Sequence, residues 1–236
     1  MIITRERQSL IFDADDTLWE NNIYFEDAFD RFCDYLNHSS LGPAEVRAVL
    51  DEIEIANAKI HGYGSKSFAR NLQTCLKHLA ERHIGEAELK RVDEFAHAIL
   101  EKPMELIEGV EETVAKLWEL HSLTIFTKGD PDEQQIKVDR SGLAKYFRHT
   151  AIVKEKNKES YLRLAEEQGF DHAHTWMIGN SPKSDINPAL AAGLNAVYVP
   201  HARTWSLEKE DVPESHPRLL KIAKISELVA YFSTSF

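Results

Sequence analysis

Leu10-Ile11-Phe12-Asp13-Ala14-Asp15-Asp16-Thr17-Leu18 is the stretch that decides the fold, because an apolar run stops abruptly at three carboxylates. Residues 10–12, with Ile2 and Ile3 before them, predict a buried strand that ends at the edge of a sheet. Side chains alternate along a strand, so we expect Asp13 and Asp15 to project to the same side. Two carboxylates held close together need a proton or a cation between them. A helix N-cap would account for one of these polar residues, but not for Asp13, where the apolar run ends.

The composition is that of an ordinary globular protein, with 236 residues, 43% of them hydrophobic and 28% charged. The formal net charge of −11 argues against nucleic acid or an anionic membrane as a main partner. We expect a cytoplasmic protein, because residues 1–6 have no apolar signal core and no apolar stretch is long enough to cross a bilayer. Cys33 and Cys75 are too few for a disulfide framework and are expected to be reduced.

A helical segment follows the acidic stretch. For about eighty residues, apolar side chains recur at spacings of three and four, which predicts amphipathic helices. Four apolar stripes begin at Phe25, Val46, Phe68 and Leu89. Residues 61–67 contain two glycines and are predicted to form a turn between the second and third helices. Four such helices without a strand between them predict a small bundle, inserted after the first strand.

Strands and helices alternate from Pro103 onwards. Short apolar strands are predicted at residues 123–126, 149–153, 175–178 and 195–199, with helical segments between them. This alternation predicts right-handed crossovers and an α/β fold, in which helices cover both faces of a parallel sheet. The predicted domains are therefore a core of residues 1–18 and 103–236, and a helical insert of residues 19–102.

Polar and charged residues follow four of the predicted strands. In a parallel sheet, ligands bind at the carboxyl ends of the strands, so residues from different strands can assemble one site. These residues are Asp13 and Asp15 after the first strand, Thr127 and Lys128 after the second, Lys154, Lys156 and Lys158 after the third, and Asn180 and Asp185 in the turn after the fourth.

This set resembles the four motifs of the haloacid dehalogenase superfamily of phosphatases, in the same order and over the whole chain. Residues 13–18 resemble its first motif, Asp-x-Asp-x-Thr, and residues 179–185 resemble its fourth. Thr127 is similar to the second motif and Lys156 to the third. The resemblance implies a Rossmann-like, three-layer α/β/α core with an inserted helical cap.

Two features depart from the motifs or leave a choice. The fourth motif often carries an Asp straight after its Gly, where this sequence has Asn180. For the third motif Lys154, Lys156 and Lys158 compete. We choose Lys156, because Tyr161 lies where the following helix should place its first apolar residue.

The resemblance also implies roles for the site residues. Asp13 would be the nucleophile that forms an aspartyl-phosphate, and Asp15 the general acid and then the general base. Mg²⁺ is implied as the cofactor, because its preferred oxygen ligands are available from Asp13, the Asp15 carbonyl and Asp185. The residues predicted to bind substrate are Thr127, Lys128, Lys156, Asn180 and, from the turn of the helical cap, Lys66.

The predicted activity is hydrolysis of small phosphate monoesters, with a phosphorylated metabolite as the partner. Dehalogenases of the family typically lack the second Asp, so Asp15 favours phosphate esters. A phosphomutase or another phosphotransferase is an alternative, since it also needs a phospho-aspartate. A two-component receiver domain gathers similar residues, but its phospho-acceptor lies on a later strand. A non-catalytic binding module is the last alternative, although no proposed catalytic position is lost. The sequence predicts neither the particular ester nor the oligomeric state.

Overall fold

The structure, a computed structural model, describes residues 6–233, so Ile2 and Ile3 of the predicted first strand lie outside the described residues. The chain divides into two compact units, one with the residues up to Glu20 and from Met104 on, the other with Asn21–Pro103. Trp19 was predicted to belong to the helical insert, but it is fully buried in the core of the α/β unit. Pro103 was predicted to belong to the core and lies instead in the helical unit.

Within residues 6–233, six parallel strands form the sheet of the α/β unit, in the order β3-β2-β1-β4-β5-β6. The predicted parallel sheet is confirmed. The sixth strand was not predicted, because three residues are too short to show a period. The strands are β1 (Ser9–Phe12), β2 (Ser122–Lys128), β3 (His149–Val153), β4 (Thr175–Gly179), β5 (Asn195–Tyr198) and β6 (Leu219–Lys221).

Helices cover both faces of this sheet, as the alternation of β1 shows. The helices of the α/β unit are α5 (Val110–Leu120), α6 (Pro131–Ser141), α7 (Lys158–Gln168), α8 (Asn187–Ala191) and α9 (Leu228–Phe232). Leu10 and Phe12 belong to the apolar cluster that includes residues of α5 and α9, whereas Ile11 belongs to the cluster with residues of α7 and α8. No helix within residues 6–233 has both the length and the apolar character needed to cross a membrane.

Four helices make up the other unit, and the predicted apolar stripes form its core. They are α1 (Asn22–Leu36), α2 (Pro43–His61), α3 (Ser65–Leu79) and α4 (Glu86–Glu101). The predicted turn at residues 61–67 is shorter than expected. Gly62 and Gly64 form it with φ angles of 70° and 109°, which favour glycine. Lys66, predicted to lie in the turn, lies in the first helical turn of α3.

A buried carboxyl group in the helical unit makes its stability depend on pH. Arg47 is shared by Asp51, at 2.6 Å, and Glu54, at 2.7 Å, so one guanidinium compensates two carboxylates. Burial, only partly offset by Arg47, raises the pKa of Glu54 to about 7.

We expect Glu54→Gln to remove this pH dependence. Because the folded-state pKa is raised, Glu54 stabilises the fold below the pKa of the unfolded chain, and this contribution is lost as the pH rises through about 7. From pH 5 to pH 8, the free energy of unfolding of the wild type should fall by about 1–3 kcal/mol relative to Glu54→Gln. Urea denaturation of both proteins at the two pH values measures the change. Parallel behaviour of the two proteins would contradict the raised pKa.

Candidate active site at the carboxyl ends of the strands

Asp13, Lys156 and Asp185 meet at the carboxyl end of the sheet. Asp13 directly follows β1, Lys156 precedes α7, and Asp185 lies in the helical turn Pro182–Ile186 after β4. The Lys156 ammonium donates to Asp13 Oδ1 at 2.5 Å and to Asp185 Oδ1 at 2.8 Å. The three residues are 7%, 3% and 0% exposed, so this ion network is almost completely withdrawn from water.

Of the three lysines that compete for the third motif, Lys156 is the one whose ammonium contacts Asp13, whereas Lys154 and Lys158 are exposed. Lys156 lies 5.6 Å from the centre of the Phe126 ring. Tyr161 packs edge-on against that ring and donates its hydroxyl to the carbonyl of Ser184 at 2.9 Å. Burial disfavours the charged ammonium, but the two carboxylates outweigh it and raise the pKa of Lys156 above its usual value.

The pKa of Asp185 is raised to about 7, because its burial and the neighbouring Asp13 outweigh the attraction of Lys156. Its Oδ2 accepts a hydrogen bond from the Ser181 backbone at 2.9 Å. A Cβ atom at Gly179 would collide with the Asp185 carboxylate, so only glycine fits at this position. Two buried carboxylates therefore share one ammonium.

This charge balance fits a divalent cation. Oxygen atoms of carboxylates are the ligands that Mg²⁺ prefers, and Asp13 and Asp185 present them side by side. Burial of a net negative charge is unfavourable unless a further cation compensates it. The donor set is therefore suited to the metal that the sequence implied.

The Asp15 carboxylate contacts a different set of partners from Asp13. The regular strand ends at Phe12, and Asp16, directly after Asp15, has a φ of 60°. Its Oδ1 accepts from Trp19 Nε1 at 2.8 Å, its Oδ2 accepts from Gln134 Nε2 at 2.8 Å, and Lys137 Nζ lies 2.8 and 2.7 Å from the two oxygens.

Burial would raise the pKa of Asp15, but the Lys137 charge and the three hydrogen-bond donors lower it below its usual value. Asp15 is therefore ionised in this arrangement. Sequence reasoning missed Lys137 and Gln134, which lie on a helix without any motif. The Trp19 indole is both buried and a donor to Asp15.

Thr17 and Asn180 connect the first and fourth motifs. Thr17 Oγ1 lies 2.9 Å from Asp13 Oδ2 and 3.1 Å from Asn180 Oδ1, so its single proton can serve either oxygen. Asn180 Nδ2 donates to Thr204 Oγ1 at 2.9 Å. Both ends of the Asn180 amide thus contact protein groups, in the position where the family often carries an Asp.

Thr127 and Lys128 lie at the end of β2, and their surroundings differ. Thr127 is buried and lies beside Ile152 of β3. The Lys128 ammonium, predicted to bind substrate, donates to Glu208 at 2.6 Å and to Ser184 Oγ at 2.9 Å. Glu208 also accepts from the hydroxyl groups of Ser181 and Ser184, at 2.6 and 2.5 Å. Glu208 thereby links Lys128 to the turn that carries Asp185, and no sequence pattern indicated it.

Lys66 is the remaining predicted site residue. It lies on α3 in the helical unit, and its side chain is exposed.

The model of the haloacid dehalogenase-like hydrolase family matches residues 8–193. No curated protein matches the sequence. A haloacid dehalogenase-like family hydrolase from Xanthomonas campestris is 31% identical and superposes with a TM-score of 0.84, over 96% of this chain and 92% of that chain. The putative hydrolase YfnB from Bacillus subtilis, solved with bound magnesium, is 21% identical with a TM-score of 0.69, over 95% and 98%.

Structures with the same fold are named for two different activities. One is an L-2-haloacid dehalogenase from Xanthobacter autotrophicus, 17% identical with a TM-score of 0.67, covering 98% of this chain and 100% of that chain. The other is a predicted phosphoglycolate phosphatase from Haemophilus somnus, 16% identical with a TM-score of 0.66, covering 97% and 98%. At this identity the likeness establishes the fold alone.

Proposed function

The chain belongs to the haloacid dehalogenase-like hydrolases, and from that premise we propose that it is a phosphatase acting on small phosphate monoesters. The observation that carries this proposal is Asp15, a second carboxylate two residues after the nucleophile and held by three side-chain donors. An alkoxide leaving group requires a proton, whereas a halide leaves as a stable anion. An acid at this position is therefore useful to a phosphatase and has no leaving group to protonate in a dehalogenase.

In this mechanism Asp13 attacks phosphorus, and the bond to the leaving oxygen breaks as an aspartyl-phosphate forms. Lys156 and Thr17 orient the attacking carboxylate through their bonds to its two oxygens. Asp15, which is ionised in the arrangement described above, would have to take up a proton in the substrate complex before it gives one to the leaving alcohol; it then accepts one from the water that hydrolyses the intermediate. The Thr127 hydroxyl donates to a phosphoryl oxygen.

Asp13, Asp185 and the carbonyl oxygen of Asp15 would hold Mg²⁺, which when bound offsets the negative charge of the phosphoryl oxygens. Lys156 adds a fixed positive charge at the same place. Lys128, Asn180 and Lys66 are still proposed as substrate-binding residues, and Lys128 and Asn180 would act through the loops that they support. We propose a cytoplasmic phosphorylated metabolite as the substrate.

Two reactions of the same family are the alternatives. A phosphomutase would form the same intermediate but return the phosphoryl group to an alcohol instead of water. The second alternative is a dehalogenase, the activity of a solved structure that shares this fold.

The test offers the protein sugar phosphates, nucleotides and phosphoglycolate with Mg²⁺, and 2-haloacids in parallel, with Asp13→Asn as the blank. We expect release of inorganic phosphate from at least one monoester and no release of halide. Release of halide without phosphate would overturn the proposal in favour of a dehalogenase. Phosphoryl transfer to a second sugar hydroxyl, faster than release of phosphate, would favour a mutase.

A further inference from the structure

Helix α6 presents two side chains to the Asp15 carboxylate. Gln134 and Lys137 are three residues apart and therefore lie on the same face of the helix. Gln134 Nε2 lies 2.8 Å from Asp15 Oδ2, and Lys137 Nζ lies within 2.8 Å of both oxygens. Trp19 Nε1 donates to Oδ1, so both oxygens of the carboxylate accept hydrogen bonds, from α6 and from a residue four positions after Asp15.

The loop before α6 fixes how the helix approaches Asp15. The Asp130 side chain caps the helix by accepting from the backbone of Asp132 and Glu133, both at 3.1 Å. Gly129 has a φ of 146°, and a Cβ there would lie 2.8 Å from Gln134 Nε2. The glycine thus leaves the space that the Gln134 amide occupies. This amide also donates to the carbonyl of Lys128 at 3.1 Å, so α6 is tied to the end of β2.

A carboxylate that transfers protons must lie at hydrogen-bond distance from the atom it serves and be held within about 0.5 Å of that position. Lys137 and Asp15 expose 14% and 22% of their side chains, so their ion pair is screened less than one on the surface. Fixing both oxygens also removes the rotation that an Asp side chain at a turn otherwise has.

We propose that Lys137 is a positioning residue, whose ammonium holds Asp15 in the orientation in which it meets the leaving-group oxygen of the substrate. The inference rests on the proposed phosphatase function and adds a residue outside the four motifs. If Lys137 positions Asp15, the loss of kcat/KM on removing Lys137 depends on the leaving group, whereas for a purely structural lysine it would not.

The experiment compares p-nitrophenyl phosphate, whose leaving group departs as a stable anion, with glycerol phosphate, whose alkoxide needs a proton. Values of kcat/KM are compared with Mg²⁺ present, since this ratio covers the steps up to phosphoryl transfer. Lys137→Met is expected to lower kcat/KM for glycerol phosphate by about 10–100-fold more than for p-nitrophenyl phosphate, a part of the usual contribution of a general acid. Lys137→Arg keeps a donor for both oxygens and should recover part of this difference. Lys145→Met, at an exposed surface lysine, is the control.

Three results would overturn the inference. An equal loss with both substrates would make Lys137 structural and leave the phosphatase proposal intact. A gain with glycerol phosphate would mean that the lysine holds Asp15 away from the leaving group. If the wild type hydrolyses neither ester nor any other monoester, the proposed function fails and the inference fails with it.

Discussion

Asp13→Asn is expected to abolish hydrolysis of every phosphate monoester while the protein stays folded. An amide does not attack phosphorus, so the covalent route is lost, and the fall in kcat should be on the order of 10⁴-fold or more. The fold should persist, because Lys156 keeps its ion pair with Asp185 and the buried excess of negative charge is relieved. Steady-state kinetics measure the loss, and circular dichroism melting measures the fold.

The matched control for this substitution is Asp139→Asn, which makes the same chemical change at an exposed position of α6. It should leave kcat within about twofold of the wild type, because a surface substitution away from special features changes the stability of a protein only slightly. Substantial turnover by a folded Asp13→Asn protein would contradict the nucleophilic role of Asp13.

Metal removal is expected to have an effect of similar size. Chelation should reduce activity to background, and Mg²⁺ should restore it, because Asp13 and Asp185 leave a buried negative charge that a phosphate substrate would increase. Ca²⁺ should restore activity poorly, since its larger and looser coordination shell does not keep the octahedral geometry. Activity after dialysis against chelator, with each metal added back, provides the measurement.

Asp185→Asn should raise the Mg²⁺ concentration needed for half-maximal activity by at least about tenfold, because it removes one charged ligand. Asn180→Ala is the comparison within the same turn, since the Asn180 amide contacts the hydroxyl groups of Thr17 and Thr204. A larger effect of Asn180→Ala would show that the fourth motif is assigned to the wrong residue.

The elements that the sequence predicted are those with a clear period. Helices α1 to α4 repeat apolar residues every three or four positions, and the strands of the sheet are short apolar runs between turns. The strand β6 and the helix α9 have three and five residues, so neither contains two full repeats of its apolar pattern. The boundary between the core and the helical insert was misplaced at Trp19, because this residue packs in the core although it follows the turn after β1.

The site was predictable where its residues follow strands. Asp13, Lys156 and Asp185 come from three strand ends, and a parallel sheet brings such ends to one edge. The partners of Asp15 could not be predicted, because Gln134 and Lys137 lie 119 and 122 residues away along the chain. They belong to a polar helix whose sequence does not distinguish the face that contacts Asp15 from the exposed faces. Glu208 lies in a charged stretch after β5, where one buried acid among several exposed charges leaves no pattern.

The central claim is that Asp13 carries the phosphoryl group during turnover, and trapping that intermediate tests it most directly. Asp15→Asn should slow hydrolysis of the aspartyl-phosphate by removing the base that activates water. After reaction with an activated monoester and Mg²⁺, the protein is quenched in acid, and borohydride reduces the acyl phosphate to the alcohol. Peptide mass spectrometry should then find homoserine at position 13 and at no other aspartate. An unchanged Asp13 in a protein that has turned over substrate, or the modification at a different residue, would contradict the account.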